Sequence, residues 1–273
     1  MISVNEEGQN GDIHYFFLIR GLIRSRFHWH HFPQVFERQL KLRNINHRVV
    51  LLDIAGNGSR FSEQAPFSIQ GMADDISAQI RQYLKIELMD STSIRLHLIG
   101  ISMGGMIAAQ ACHILKHDQI EVSSLHVINS SFSNVARFWQ RMKIPAALSL
   151  LKSLRSIQQR EVCILLWTSN KLDRQKYAEA WIDEAGKNPL SIRNAIAQLV
   201  AAMRFPIPIK PLKHGYIYTS EKDRLVSSVC SKKIARAWQY PIDLEEAAGH
   251  DLSLDAPRWL AERISRNCLI TKG

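Results

Sequence analysis

Gly100-Ile101-Ser102-Met103-Gly104 stands directly after the apolar run Ile94 to Ile99 and directly before Gly105-Met106-Ile107-Ala108-Ala109-Gln110. A strand that turns abruptly into a helix holds its serine on a strained corner, and the glycines are needed because a side chain there would strike the neighbouring strand or helix. The hydroxyl is thereby pushed out above the sheet, at a helix N-terminus whose free N–H groups and dipole favour the negative charge that develops in acyl transfer. A bare G-x-S-x-G is also a common packing turn, so its partners decide. A serine hydroxyl is a weak nucleophile at neutral pH and needs a base that a carboxylate orients. The candidate base is His250 in Ala248-Gly249-His250-Asp251-Leu252, and the candidate acid is Asp223 in Ser220-Glu221-Lys222-Asp223-Arg224-Leu225-Val226.

These residues meet only if the elements before them end at one edge of a sheet. Short runs rich in β-branched and aromatic residues predict strands at Tyr15 to Ile19, Arg48 to Asp53, Ile94 to Ile99, Leu125 to Ile128, Gly215 to Thr219 and Ile242 to Leu244. Most are followed by helical spacing, clearest in Ile69, Met72, Ile76, Ile80 and Tyr83, which is the alternation of a mainly parallel sheet. Parallel strands present their C-terminal ends together, so Ser102, Asp223 and His250 fall on loops at one edge. The alternation breaks between Phe132 and Pro211, where Ile192, Ile196, Leu199 and Met203 form one helical stripe and Tyr177, Trp181, Ile182 and Ala185 another. The prolines at 206, 208 and 211 close this insert. Residues 1–131 and 212–273 are thus expected to form the core, with 132–211 an inserted helical unit. Val162 to Trp167 fits helix or strand equally.

Hydrophobic residues at 46% and charged residues at 22% exclude disordered, collagen-like and coiled-coil classes. Lys and Arg number 35 against 25 Asp and Glu, a net charge of +10, which admits nucleic acid, a membrane surface or an anionic ligand as partner. No nucleic-acid motif accompanies the charge. Met1 to Gly11 carries Glu6 and Glu7 where a secretory signal would be basic and then apolar, and Tyr15 to Ile19 is far short of the roughly 20 residues a membrane helix needs. The expectation is a cytoplasmic protein without a transmembrane segment. Cys112, Cys163, Cys230 and Cys268 have neither disulfide-frame nor zinc-site spacing.

Five segments in order resemble the α/β-hydrolase family of the capped, serine-esterase type: Phe17-Leu18-Ile19-Arg20-Gly21-Leu22 with Ser25 and Trp29, Leu52 to Phe61, the Ser102 elbow, Asp223 to Val226, and Gly249-His250. The resemblance implies Ser102 as nucleophile, Asp223 as acid, His250 as base, and the N–H groups of Leu22 and Met103 as oxyanion hole. It implies no cofactor and no metal. The loop after Ile128 reads Asn129-Ser130-Ser131 and offers no carboxylate, which leaves Asp223 as acid, with Asp251 expected to cap the following turn and Asp53 to serve a structural turn. Two departures stand out. Arg20 replaces the family's histidine and is expected to add positive charge beside the site, and too few residues precede the first strand for the usual N-terminal hairpin.

Within the resemblance, a cap would enclose an apolar cleft over Ser102, with Trp29, Phe138, Trp139 and Trp167 as pocket candidates. His28, His30 and His31 lack nearby carboxylate or cysteine ligands and are read as structural. The leading reaction is hydrolysis of a carboxylic ester or thioester, and the Gly-x-Ser-Met-Gly-Gly elbow is similar to that of the pimeloyl carrier-protein methyl ester esterase group. Carbon–carbon bond hydrolysis, cofactor-free haloperoxidase chemistry and a weakly catalytic ligand sensor use the same triad. Arg20, Arg24, Arg26 and Arg60 are expected near the entrance, where a basic rim would attract an anionic leaving group such as coenzyme A or a carrier protein.

Overall fold

The computed structural model describes residues 12–87, 93–153, 156–171 and 174–269. Among the described residues there are six strands: β1 (Ile13–Ile19), β2 (His47–Leu52), β3 (Ile94–Ile101), β4 (Val122–Ile128), β5 (Gly215–Ser220) and β6 (Ile242–Glu245). They form one sheet in the order β2-β1-β3-β4-β5-β6, with each neighbouring pair parallel. The N-terminal hairpin expected to be missing would precede Asp12 and lies outside the described residues.

Eleven α-helices surround the sheet among the described residues: α1 (Phe32–Leu42), α2 (Ile69–Glu87), α3 (Met103–His117), α4 (Phe138–Arg141), α5 (Ile144–Ser153), α6 (Ile157–Thr168), α7 (Arg174–Lys187), α8 (Ile192–Arg204), α9 (Ser228–Trp238), α10 (Leu252–Asp255) and α11 (Pro257–Asn267). Strand alternation divides the core. Tyr15, Phe17 and Ile19 pack with apolar side chains of α2, α3 and α9, whereas Phe16 and Leu18 pack with those of α1 and α11. With both faces covered, β1 is a continuous apolar run, as a parallel central strand requires. Helices α4 to α8 all lie between β4 and β5, and Val162 to Trp167 is resolved as helix within α6.

Under α1 and α11 runs a buried polar chain that strand periodicity does not announce. His14 bonds His97 at 2.9 Å, His97 bonds Ser124 at 2.6 Å, Ser124 bonds His126 at 2.8 Å, and His126 bonds the Tyr218 hydroxyl at 2.9 Å. These residues sit on four adjacent strands, so the chain bonds register across the sheet. Burial pushes His97 well below the ordinary histidine range and lowers His126 to about 3. Because the unfolded chain takes up these protons and the folded one does not, their contribution is complete above about pH 6.5 and declines as pH falls toward 3. The urea midpoint is therefore expected to drop between pH 7 and pH 5. His126→Gln, which cannot ionise, should show a shallower drop; an unchanged slope would refute this account.

Candidate active site

β3 runs through Gly100 into Ser102, where the chain takes φ 58° and ψ −123° before α3 begins. The left-handed φ is costly for a residue with a Cβ. Close packing holds it there. A Cβ on Gly100 would lie 2.2 Å from Gly104 O, and one on Gly104 would lie 2.3 Å from Ile19 O. The glycines thus let the start of α3 rest on the ends of β1 and β3, while Ser102 N–H donates to Ile128 O at 2.8 Å.

Asp223 and His250 are brought together. His250 Nδ1 lies 2.7 Å from Asp223 Oδ2, and the two side chains are almost wholly buried. The other carboxylate oxygen accepts the Leu225 and Val226 N–H groups at 2.8 and 2.9 Å. Asp223 is thereby locked in one orientation, and His250 keeps Nε2 for another partner. No hydrogen bond joins His250 to Ser102 among the described residues, a looseness common in sites without substrate.

The loop after β1 lies directly on the elbow, since a Cβ on Gly21 would be 2.9 Å from Ser102 Cβ. Arg24 N–H closes a turn onto Gly21 O at 3.2 Å, and Ile23 within it has φ 52°. A β-branched residue seldom adopts this conformation, so the turn needs outside support. Gln198 of α8 supplies it: its Oε1 accepts Ile23 N–H at 2.8 Å, its Nε2 donates to Asn57 Oδ1 at 2.8 Å, and Asn57 Nδ2 donates to Arg24 O at 3.0 Å. The N–H groups of Leu22 and Met103 donate to no protein acceptor among the described residues. Gln198 carries no motif, and its partners are distant in sequence, so no local signal marks it; Asn57 lies within the Leu52 to Phe61 segment, which does not reveal its role. Asn129, in the loop that offers no carboxylate, donates from its side chain to His250 O at 2.8 Å and Ser220 Oγ at 3.0 Å, joining two loops of the site.

The α/β-hydrolase family model matches residues 16–263. The chain belongs to that family. Similar solved structures include an esterase from Exiguobacterium antarcticum, at TM-score 0.72 and 16% identity over 95% of this chain and 93% of that one. A putative non-heme bromoperoxidase from Mycobacterium tuberculosis has TM-score 0.67 and 18% identity over 96% and 94%. A thioesterase from the prodiginine pathway of Streptomyces coelicolor has TM-score 0.62 and 13% identity over 98% and 91%. No curated protein sequence matches the chain. At such identities the likeness carries the fold, and this α/β-hydrolase's chemistry must be argued from its own residues.

Several expectations need correction. Arg20 is not a free charge beside the site: it is 5% exposed, its guanidinium bonds Asp251 at 2.6 and 3.2 Å and Ser253 at 3.0 Å, and it lies over the Trp29 ring. Arg24 is buried against Glu161 at 2.6 Å, and Arg60 is paired with Asp75 and Glu63. Of these four loop arginines only Arg26 stays largely exposed, because the others find carboxylates from other loops and from the helices. Trp29 has no exposed surface and packs on Phe32 in the core, so it lines no open pocket. Phe138 and Trp139 stand about half-exposed on α4, and Trp167 is half-buried on α6 with its Nε1 unpartnered among the described residues.

His28 and His30 are spent on structure. His28 bonds Arg24 at 2.7 Å and Ser25, while His30 accepts the Trp181 indole N–H at 2.7 Å. Burial, helped by nearby arginines, holds His28 well below its ordinary value, and burial lowers His30 to about 4. Asp53 accepts N–H groups from Arg26 and Ser59 and holds its turn. Asp251 accepts Leu254 N–H and caps α10, in addition to holding Arg20.

Proposed function

We propose that this α/β-hydrolase is a cofactor-independent serine hydrolase that cleaves a carboxylic ester or thioester through an acyl-enzyme on Ser102. The observation that carries the reading is the buried His250–Asp223 pair at 2.7 Å, on the same sheet edge as a serine held at positive φ. His250 Nε2 takes the Ser102 proton as Oγ bonds to the carbonyl carbon, and the carbonyl π electrons move onto oxygen. The N–H groups of Leu22 and Met103 hold that oxyanion. Collapse expels the alcohol or thiol, which receives the proton from His250. A water activated by the same imidazole then releases the acid and restores Ser102. Asp223 fixes the tautomer and steadies the imidazolium. Residues 132–211 act as a cap on the core formed by 1–131 and 212–273, with Trp167 as its pocket candidate.

A fluorophosphonate probe is expected to label Ser102 rapidly, and hydrolysis should appear in a screen across acyl lengths with alcohol, coenzyme A and carrier-protein leaving groups. An unlabelled serine in the folded protein would assign the site to ligand binding instead. Gln198 tests the oxyanion loop. Gln198→Ala should lower kcat by about 10- to 100-fold with little change in KM, since misplacing a donor by about 1 Å costs that much. Gln198→Glu keeps the acceptor for Ile23 N–H and should recover part of the loss; equal losses in both variants would exclude this positioning role.

A further inference from the structure

We propose that the exposed apolar face of α8, with α4 seated at its last turn, docks on an anionic lipid surface. The apolar stripe of α8 faces the wrong way for a core helix: Ile192 is 79% exposed, Ile196 50% and Met203 42%. The inward face instead carries Asn194, Ala197, Gln198 and Ala201. Polar hydrogen bonds bind that face to the core, with Asn194 accepting Ala65 N–H at 2.9 Å and Gln198 holding Ile23 and Asn57. Helix α8 therefore cannot turn over to bury its stripe without abandoning those bonds.

The surface continues beyond α8. Arg141, at the end of α4, donates to Ala202 O and Met203 O at 2.7 and 3.0 Å, which seats α4 against the last turn of α8. On α4, Trp139 is 52% exposed. An amphipathic helix with its apolar face open, Lys and Arg around it and an aromatic at the boundary is the arrangement that lies in a lipid interface.

Charge selects the occupant. Residues 132–211 hold thirteen Lys and Arg against five Asp and Glu, a net +8 of the chain's +10. One of the five acids, Glu161, is buried against Arg24. Arg193 and Arg204 on α8 and Arg137 beside α4 are exposed. A second copy presenting the same face would bring like charges together, whereas anionic headgroups meet the cations while acyl chains cover the apolar stripe. Among the described residues no helix is long and apolar enough to cross a membrane. The inference is independent of the hydrolase reading, because Ile192, Ile196, Met203, Arg193 and Arg204, which would meet the lipid, take no part in the proposed machinery.

Flotation of the full chain with vesicles tests it, comparing phosphatidylcholine alone with an equal mixture of phosphatidylcholine and phosphatidylglycerol. Binding to the anionic vesicles is expected to exceed that to the neutral ones by at least about tenfold at low salt. Joint replacement Ile192→Ser, Ile196→Ser and Met203→Ser should cut it by at least about tenfold. Arg193→Gln and Arg204→Gln should each cost about fivefold. A thermal melt checks that the variants fold, and the single replacement Ile192→Ser, at the most exposed position of the stripe, repeats the apolar test should the triple set unfold. Equal, weak binding to both vesicles would overturn the proposal. So would anionic binding that the serine variants leave unchanged, which is adsorption by charge alone. Self-association in sedimentation without vesicle binding would give the face to a second copy, and retention on polyglutamate alone would give it to an acidic protein.

Discussion

Ser102→Ala is expected to lower kcat/KM for a short p-nitrophenyl ester by at least about ten-thousand-fold while leaving the melting temperature nearly unchanged. The size follows from the proposed mechanism, in which every turnover passes through one acyl-enzyme on Ser102. The fold should persist because Cβ, not Oγ, fills the gap beside Gly21, and the Ser102 backbone bond to Ile128 O does not involve the hydroxyl. Asp223→Asn should cost a comparable factor for a different reason. An amide can present its N–H to His250 Nδ1, which drives the imidazole to the tautomer unable to accept the serine proton. Activity retained in Ser102→Ala would remove the acyl-enzyme mechanism altogether.

Asp251→Ala is expected to destabilise the protein by about 3–5 kcal/mol, because it leaves the Arg20 guanidinium buried without its carboxylate. Both side chains are at most 5% exposed. The double variant Arg20→Met with Asp251→Leu should lose much less, since it removes both charges from the interior. Burial by itself would raise the Asp251 carboxyl, but the charge and hydrogen bonds of Arg20 outweigh it and hold the group at about 2. A depressed carboxylate contributes stability above its unfolded value near 4, and that contribution is lost as pH falls through about 2. It amounts to roughly 2–3 kcal/mol at neutral pH. Activity should fall alongside stability, because Arg20 precedes Gly21 of the oxyanion loop and Asp251 follows His250. Denaturant melts of the two single variants and the double variant measure the coupling; additive losses would show that the pair does not act as a unit.

Much of the fold and of the candidate site is legible in the amino-acid sequence because it is local. The six strands and the amphipathic α2 follow from side-chain periodicity, and the glycine-flanked elbow from a five-residue pattern between a strand and a helix, all of which neighbouring residues largely dictate. The parallel order then puts the residues after β3, β5 and β6 at one edge, so chain order alone places a serine, an aspartate and a histidine near one another. Val162 to Trp167 is undecidable from its residues because an apolar run of that length satisfies both periods.

What the sequence could not supply was pairing across distance. Arg20, Arg24 and Arg60 read as free positive charge, and the tertiary structure gave each a carboxylate from another loop or helix. Gln198 has no distinguishing neighbours in the chain, and folding placed its side-chain oxygen 2.8 Å from a backbone nitrogen 175 residues away. The α8 stripe shows the same division from the opposite side. Its spacing determined a helix with one apolar face, but only the hydrogen bonds of Asn194 and Gln198 decided that this face looks outward. Periodicity is a property of neighbouring residues along the chain; the burial of a charge and the direction of a face depend on which partners the fold delivers.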